Sequence, residues 1–174
     1  GFGSGPDLLR GVGLNLPALS RTVVVGPMGC GKSALLLCLL RILEPRRGRI
    51  FIGERDTAAM GLRALRSMVG IVPTEPLVLE GSFRHNLDPL GEHPDARIWD
   101  ALRRVRLAPH VRRLAQGIES PVARGGGNLS TGQRQLLGFA RAVVQQPALL
   151  LADGCAPDLG AAARDAVKAT LAAE

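Results

Sequence analysis

The octapeptide GPMGCGKS at 26–33 constrains this chain more than any other feature. It fits G-x-x-x-x-G-K-[ST], a loop whose glycines let the backbone curl until several N–H groups and the start of the next helix face one anion. Gly26, Pro27, Met28, Gly29, Cys30, Gly31, Lys32 and Ser33 are therefore candidate nucleotide-binding residues. In that role Lys32 would neutralise the β- and γ-phosphates and the Ser33 hydroxyl would hold Mg²⁺. The context fits: the β-branched run at 22–25 reads as a buried strand, and the apolar run at 33–43 is long enough for a buried helix. Composition sharpens the match. Of 22 basic residues only Lys32 and Lys168 are lysines, so the pattern arises by chance in about 2 of 1,000 chains of this make-up. A glycine-rich turn that binds nothing is the bland alternative.

A length of 174 residues suits one domain with a full hydrophobic core, and 46% hydrophobic content excludes a disordered or fibrous chain. The net charge of +7 comes from an arginine excess that reads as coding bias more than as a binding surface. Aromatics are only 3%, with no interleaving of aromatic and basic residues, so no nucleic-acid partner is expected. Cys30, Cys38 and Cys155 fit neither a disulfide framework nor a zinc spacing and suggest a reducing compartment. No run approaches the roughly 18 apolar residues of a membrane span, and no signal peptide is seen. The chain opens on Gly1 and stops inside an Ala-rich helical pattern, which predicts an excerpt of something longer.

Along the chain, alternation at 12–16 predicts a half-buried strand, 49–52 another, and 68–72 a third after a short helix near 62–66. From 82 to about 146 the texture is helical. Asp95 is placed as the cap of a helix carrying Ile98, Trp99, Leu102 and Val105 on one face. Ser130 is placed as the cap of a second, running to Gln146, where Pro147 stops it. A short apolar run at 148–152 resembles a central strand, and 160–173 reads as helix. The sum is an α/β core interrupted by a helical insertion.

Two further motifs carry chemistry. ALLLAD at 148–153 is an apolar strand ending in an acid, which places Asp153 where it could reach Mg²⁺ directly or through water. LSTGQ at 129–133, followed by RQLLGFARAV, sets a small-residue loop at a helix N-terminus, again suited to an anion. The plain reading of that loop is a Ser130 cap with an incidental Gly132.

LSTGQ, with the P-loop and Asp153 in this order, resembles the signature of ABC-type ATPases. The likeness covers nearly the whole chain. DLLRGVGLNL is similar to the first strand of the family's antiparallel subdomain, and EPRRGRIFIG to its Gly-Arg-Ile strand. VGIVPTEPLVLEGSFRHNLDP is similar to the stretch joining core to helical subdomain in the multidrug-resistance-associated, or C, subfamily, and NLSTGQRQLLGFARAV to its second nucleotide domain. The resemblance implies a P-loop NTPase fold: a RecA-like core (1–81 and 147–174) with an antiparallel β subdomain and an inserted helical subdomain (82–146). It implies ATP and Mg²⁺ as ligands. It also implies head-to-tail pairing with a second nucleotide-binding domain, so that Leu129, Ser130, Thr131, Gly132 and Gln133 contact ATP held by the partner. Coupling to transmembrane domains at the cytoplasmic face of a membrane follows.

This chain departs from the family at two places. Thr74 stands where the family has a Gln that helps ligate Mg²⁺; Thr is shorter, and contact through a water is the remaining route. Gly154 stands where the family has its catalytic Glu, and glycine cannot act as a base. Asp158 has the wrong spacing to replace it. All three histidines, His85, His93 and His110, precede Asp153, whereas the family's switch His follows the Glu. Phe2 is the one candidate to stack on adenine. Cys30 is either a reactive thiol that nucleotide would protect or a small-residue filler. Arg103, Arg104, Arg106, Arg112 and Arg113 read as a solvated helical face, with contact to coupling helices or anionic headgroups as the sharper alternative. The expected function is an ATP-binding domain of an ABC transporter that hydrolyses poorly at its own P-loop. A P-loop kinase, a soluble ABC ATPase and an inactive gene fragment are the rivals.

Overall fold

The computed structural model describes residues 9–18 and 20–153. Phe2, Gly154, Cys155, Asp158 and the helix expected at 160–173 lie outside the described residues. The chain divides into two compact units, 1–69 and 70–174.

In the first unit the P-loop leads into α1 (Lys32–Leu39), which carries Ala34 as its buried residue. A two-residue antiparallel hairpin follows, β1 (Phe51–Ile52) with β2 (Arg55–Asp56), Phe51 opposite Asp56. Then comes α2 (Leu62–Ser67), anchored by the fully buried Leu65. The strands expected at 12–16 and 22–25 are not formed, and the one at 49–52 shrinks to β1. Val23 and Val25 are 82% and 87% exposed, against the expectation of a buried strand. A β-branched or alternating pattern shows only that a segment suits a strand. The ladder itself needs a partner, and among the described residues of this unit only β1 and β2 pair.

The second unit holds the core. β3 (Val69–Val72) is hydrogen-bonded to β6 (Leu149–Ala152), and β4 (Gly81–Ser82) pairs antiparallel with β5 (Pro121–Val122). Between them lie α3 (Phe83–Leu87), α4 (Asp95–Arg104), α5 (Ala108–Arg112) and α6 (Thr131–Val144). Phe83, Leu87, Ile98, Leu102, Val111, Leu137 and Val144 interlock in one apolar cluster with almost no exposure. Burial of each such side chain favours the fold by about 1.5–3 kcal/mol. The face read for α4 is correct, since Ile98, Leu102 and Val105 are fully buried and Trp99 packs at the edge. Asp95 is not its cap: Pro94 holds that position, and Asp95 sits in the first turn, paired with Arg84. There its charge still suits the helix N-terminus.

The long helices end earlier than their apolar pattern does, for one shared reason. Arg41, Arg106 and Gln146 adopt positive φ (48°, 60° and 46°) just past α1, α4 and α6, the position glycine usually takes. After α1 the Ile42 N–H donates to Leu37 O at 2.9 Å and Arg41 N–H to Cys38 O at 3.0 Å, a Schellman closure. The α4 end repeats it, with Leu107 N–H on Leu102 O and Arg106 N–H on Arg103 O, each at 2.9 Å. Arg41 tolerates the conformation because its guanidinium is held by Thr57 O and Met60 O at 3.0 and 2.7 Å. Beyond α6, Pro147 has no N–H to complete the motif, and Arg97 Nε donates to Val144 O at 2.6 Å instead.

Candidate functional site

The P-loop is wrapped and held by its own lysine. Lys32 Nζ donates to Gly26 O and Pro27 O, both at 2.7 Å, and lies 3.7 Å from Cys30 Sγ. Gly29 and Gly31 have φ of 78° and 99°, so the curl of the loop is written in residues that carry no Cβ. At Gly26 the demand is steric, because a Cβ there would stand 2.7 Å from Cys30 Sγ. Gly31 caps α1 with no side-chain bond, leaving the first-turn N–H groups facing out of the helix end. Met28 is almost fully exposed, and Cys30 is an exposed free thiol. An ammonium that bonds loop carbonyls in place of a carboxylate can exchange them for phosphate oxygens, which are stronger, charge-assisted acceptors.

In the second unit β6 delivers Asp153 at its C-terminal end. The Asp153 N–H continues the strand pairing by donating to Val72 O at 3.0 Å. The Thr74 hydroxyl donates to the main-chain carbonyl of Asp153, also at 3.0 Å. Thr74 thus clips the turn after β3 to the end of β6, with its proton spent on a carbonyl. The ligands that the sequence nominates for a cation, the Asp153 carboxylate and the hydroxyls of Ser33 and Thr74, are hard oxygens. They suit Mg²⁺, which keeps several waters and leans on phosphates more than on a protein cage. No trio of His, Cys, Asp or Glu gathers as a metal cage among the described residues.

The LSTGQ loop is more heavily built. Leu129 is buried and plants the loop in the core. Ser130 Oγ accepts from the Gln133 N–H at 3.2 Å while Gln133 Oε1 accepts from the Ser130 N–H at 2.8 Å, a reciprocal capping box. Arg134 backs the loop from behind, donating to Leu129 O at 3.1 Å and to Thr131 Oγ1 at 3.0 Å. Asn128 closes the approach, accepting from Ala123 N–H and donating to Pro121 O, both at 2.9 Å. A Cβ on Gly132 would meet nothing within 4 Å, so the packing of this chain does not itself require glycine there.

Other residues were not visible as functional in the sequence. Asn86, fully buried, accepts from Leu79 N–H and donates to Leu79 O and Ser82 O. Arg141 of α6 donates to Leu77 O at 2.8 Å and to Asn86 O at 2.5 Å, and burial lowers its pKa from the usual guanidinium value. Pro76 presses on α6 where a Cβ on Gly138 would be 2.7 Å away. The stretch after Thr74 is thereby fixed to the helix that begins at the LSTGQ loop. Of the arginine group, Arg103 and Arg104 both hold Asp100, and Arg112 lies 5.5 Å over the Trp99 ring. That arrangement supports a solvated face. The S-x-x-Q spacing at 130–133 was the one sequence signal that could have disclosed the capping box.

Comparison with known proteins bears on the whole constellation. The family model for the ABC transporter matches residues 9–156. ABC transporter C family member 5 of Arabidopsis thaliana is 43% identical over 148 residues, 85% of this chain and 10% of the relative. ATP-binding cassette sub-family C member 2 of Rattus norvegicus is 42% identical over 146 residues, 84% of this chain and 10% of the relative. This chain thus spans about a tenth of the length of the curated relatives it matches. A bacterial Atm1-family ABC exporter with ATP bound superposes with a TM-score of 0.89 at 30% identity, covering 99% of this chain and 30% of that one. No described helix is long and apolar enough to cross a membrane. The fold is that of a P-loop NTPase, and the chain belongs to the ABC transporter family as its ATP-binding domain.

Proposed function

We propose that this domain holds Mg-ATP at 26–33 and presents 129–133 to a nucleotide held by a second ABC domain, while its own site turns over little. The observation that carries the reading is the wrapped P-loop with Lys32 inside it. Lys32 exchanges its two carbonyl acceptors for β- and γ-phosphate oxygens, and the uncapped start of α1 adds main-chain N–H groups to the same anion. Ser33 and Asp153 supply oxygen ligands to Mg²⁺, which would neutralise phosphate charge when bound. Thr74 fixes the Asp153 main chain through its hydroxyl.

Across the head-to-tail pair, Ser130 and Gly132 face the partner's nucleotide, and the open space around Gly132 is what such an approach needs. The division of labour follows the family's: core at 1–81 and 147–174, helical subdomain at 82–146, transmembrane domains on the partner side, all at the cytoplasmic face of a membrane. Gly154 leaves the attacking water at this P-loop without a general base, help that is worth about 10²–10⁴ in rate. The test is Gly154→Glu. In the presence of a second ABC domain with an intact signature, phosphate release at this P-loop should rise at least tenfold over the natural chain. No rise, with Mg-ATP bound equally by both, would overturn the missing-base account.

A further inference from the structure

Among the described residues His110 is the one histidine with a polar partner in the LSTGQ loop, the Gln133 amide. The Ser130 N–H donates to the oxygen of the Gln133 amide at 2.8 Å. The Gln133 amide nitrogen, which can only donate, is therefore the atom 3.1 Å from His110 Nδ1. Nδ1 must accept, and the ring proton must sit on Nε2. We propose that His110 is a positioning residue for the 129–133 loop: it holds the Gln133 amide in the rotamer that closes the capping box, and protonation of its ring opens that box. Only the consequence for nucleotide rests on the function proposed above; the bonds themselves do not.

The ring has little freedom to give way. It stands edge-on to the fully buried Phe83, centroids 6.3 Å apart, on α5, which packs against α4 and the turn at 117–119. A proton on Nδ1 would set N–H against N–H. If the Gln133 amide turned over to accept it, its NH₂ group would face the Ser130 N–H, and that donor would exchange its capping-box acceptor for water. The charged groups on the surrounding elements are Arg84 and His85 on α3, Asp95, Arg97, Asp100, Arg103 and Arg104 on α4, Glu119 on the turn, Arg134 and Arg141 on α6, and Arg112 on α5 itself. Asp95, Asp100 and Glu119 already have arginine partners, so none of these carboxylates stands ready to compensate a second ring proton.

The experiment is ¹H–¹⁵N NMR on the full 174-residue chain, first without nucleotide. The natural chain should show the Nε2–H tautomer of His110 at about pH 7.5, and Ser130 amide protection should fall about fivefold once acid protonates the ring. His110→Phe should show that lowered protection at the same starting pH already, with Leu137 and Val144 of α6 unchanged. His110→Asn, whose Oδ1 stands where Nδ1 stood, should restore it and keep it constant through the same acidification. An Nδ1–H tautomer, equal Ser130 protection in the Phe variant, or no rescue by Asn would overturn the proposal. Adding Mg-ATP to the same samples reads the function separately through the Gly29, Gly31 and Lys32 amides. If these stay still while Ser130 follows His110, the nucleotide reading fails and the His110 proposal stands. If they shift while Ser130 ignores His110, the His110 proposal fails and the nucleotide reading stands.

Discussion

The molecule carries two glycine-bearing loops at helix starts, and they are built on opposite plans. The P-loop at 26–33 is made almost wholly of main chain: two positive-φ glycines, a third whose Cβ would displace Cys30 Sγ, and a lysine folded back on two carbonyls. The LSTGQ loop is made of side chains: Ser130 and Gln133 cap each other, Arg134 and Asn128 brace the approach, and His110 holds Gln133. One loop writes its shape into residue types at fixed spacing. The other borrows its shape from residues up to 23 positions away. A main-chain loop should therefore break when its glycines or lysine change, whereas a side-chain loop should weaken by degrees.

The largest expected effect is at Lys32. Lys32→Ala removes the one ammonium inside the loop and should weaken Mg-ATP binding about 10- to 100-fold by calorimetric titration, the range of a lost charge-assisted contact. Gly26→Ala comes next. Its Cβ would force the exposed Cys30 Sγ aside, so we expect a destabilisation of about 0.5–1.5 kcal/mol in denaturant melts. In a Cys30→Ala background the same change should cost clearly less, and an equal cost in both backgrounds would remove the steric explanation. Ser130→Ala should lose one reciprocal cap bond and about 1 kcal/mol of stability, with Mg-ATP affinity untouched. Gly132→Ala should be the smallest: within about 0.5 kcal/mol of the natural chain, since nothing lies within 4 Å of the new methyl. A large loss there would mean that Gly132 serves this chain's own packing.

The same contrast explains what could be read from the sequence. The curl of GPMGCGKS was legible because the loop needs glycine where φ is positive, and its compact ammonium folds back on two loop carbonyls. The buried face of α4 was legible because Ile98, Leu102 and Val105 repeat at helical spacing. Helix ends were not, since Arg41, Arg106 and Gln146 occupy the left-handed position where glycine is the expected residue. The strands at 12–16 and 22–25 failed for a different reason: their pattern is local, but a ladder is not. Thr74 was noticed as a departure, yet its hydroxyl bond to the Asp153 carbonyl joins positions 79 residues apart. His110 gave no signal at all, because its partner Gln133 lies in another element.

The central claim is that nucleotide binding persists in a site stripped of its base, and one measurement meets it directly. Mg-ATP is titrated into the natural chain alone, and the bound nucleotide is recovered and identified after incubation. Saturable, Mg²⁺-dependent binding with the nucleotide recovered as ATP is the predicted result. No binding, or recovery as ADP at a rate typical of an intact general base, would contradict the account.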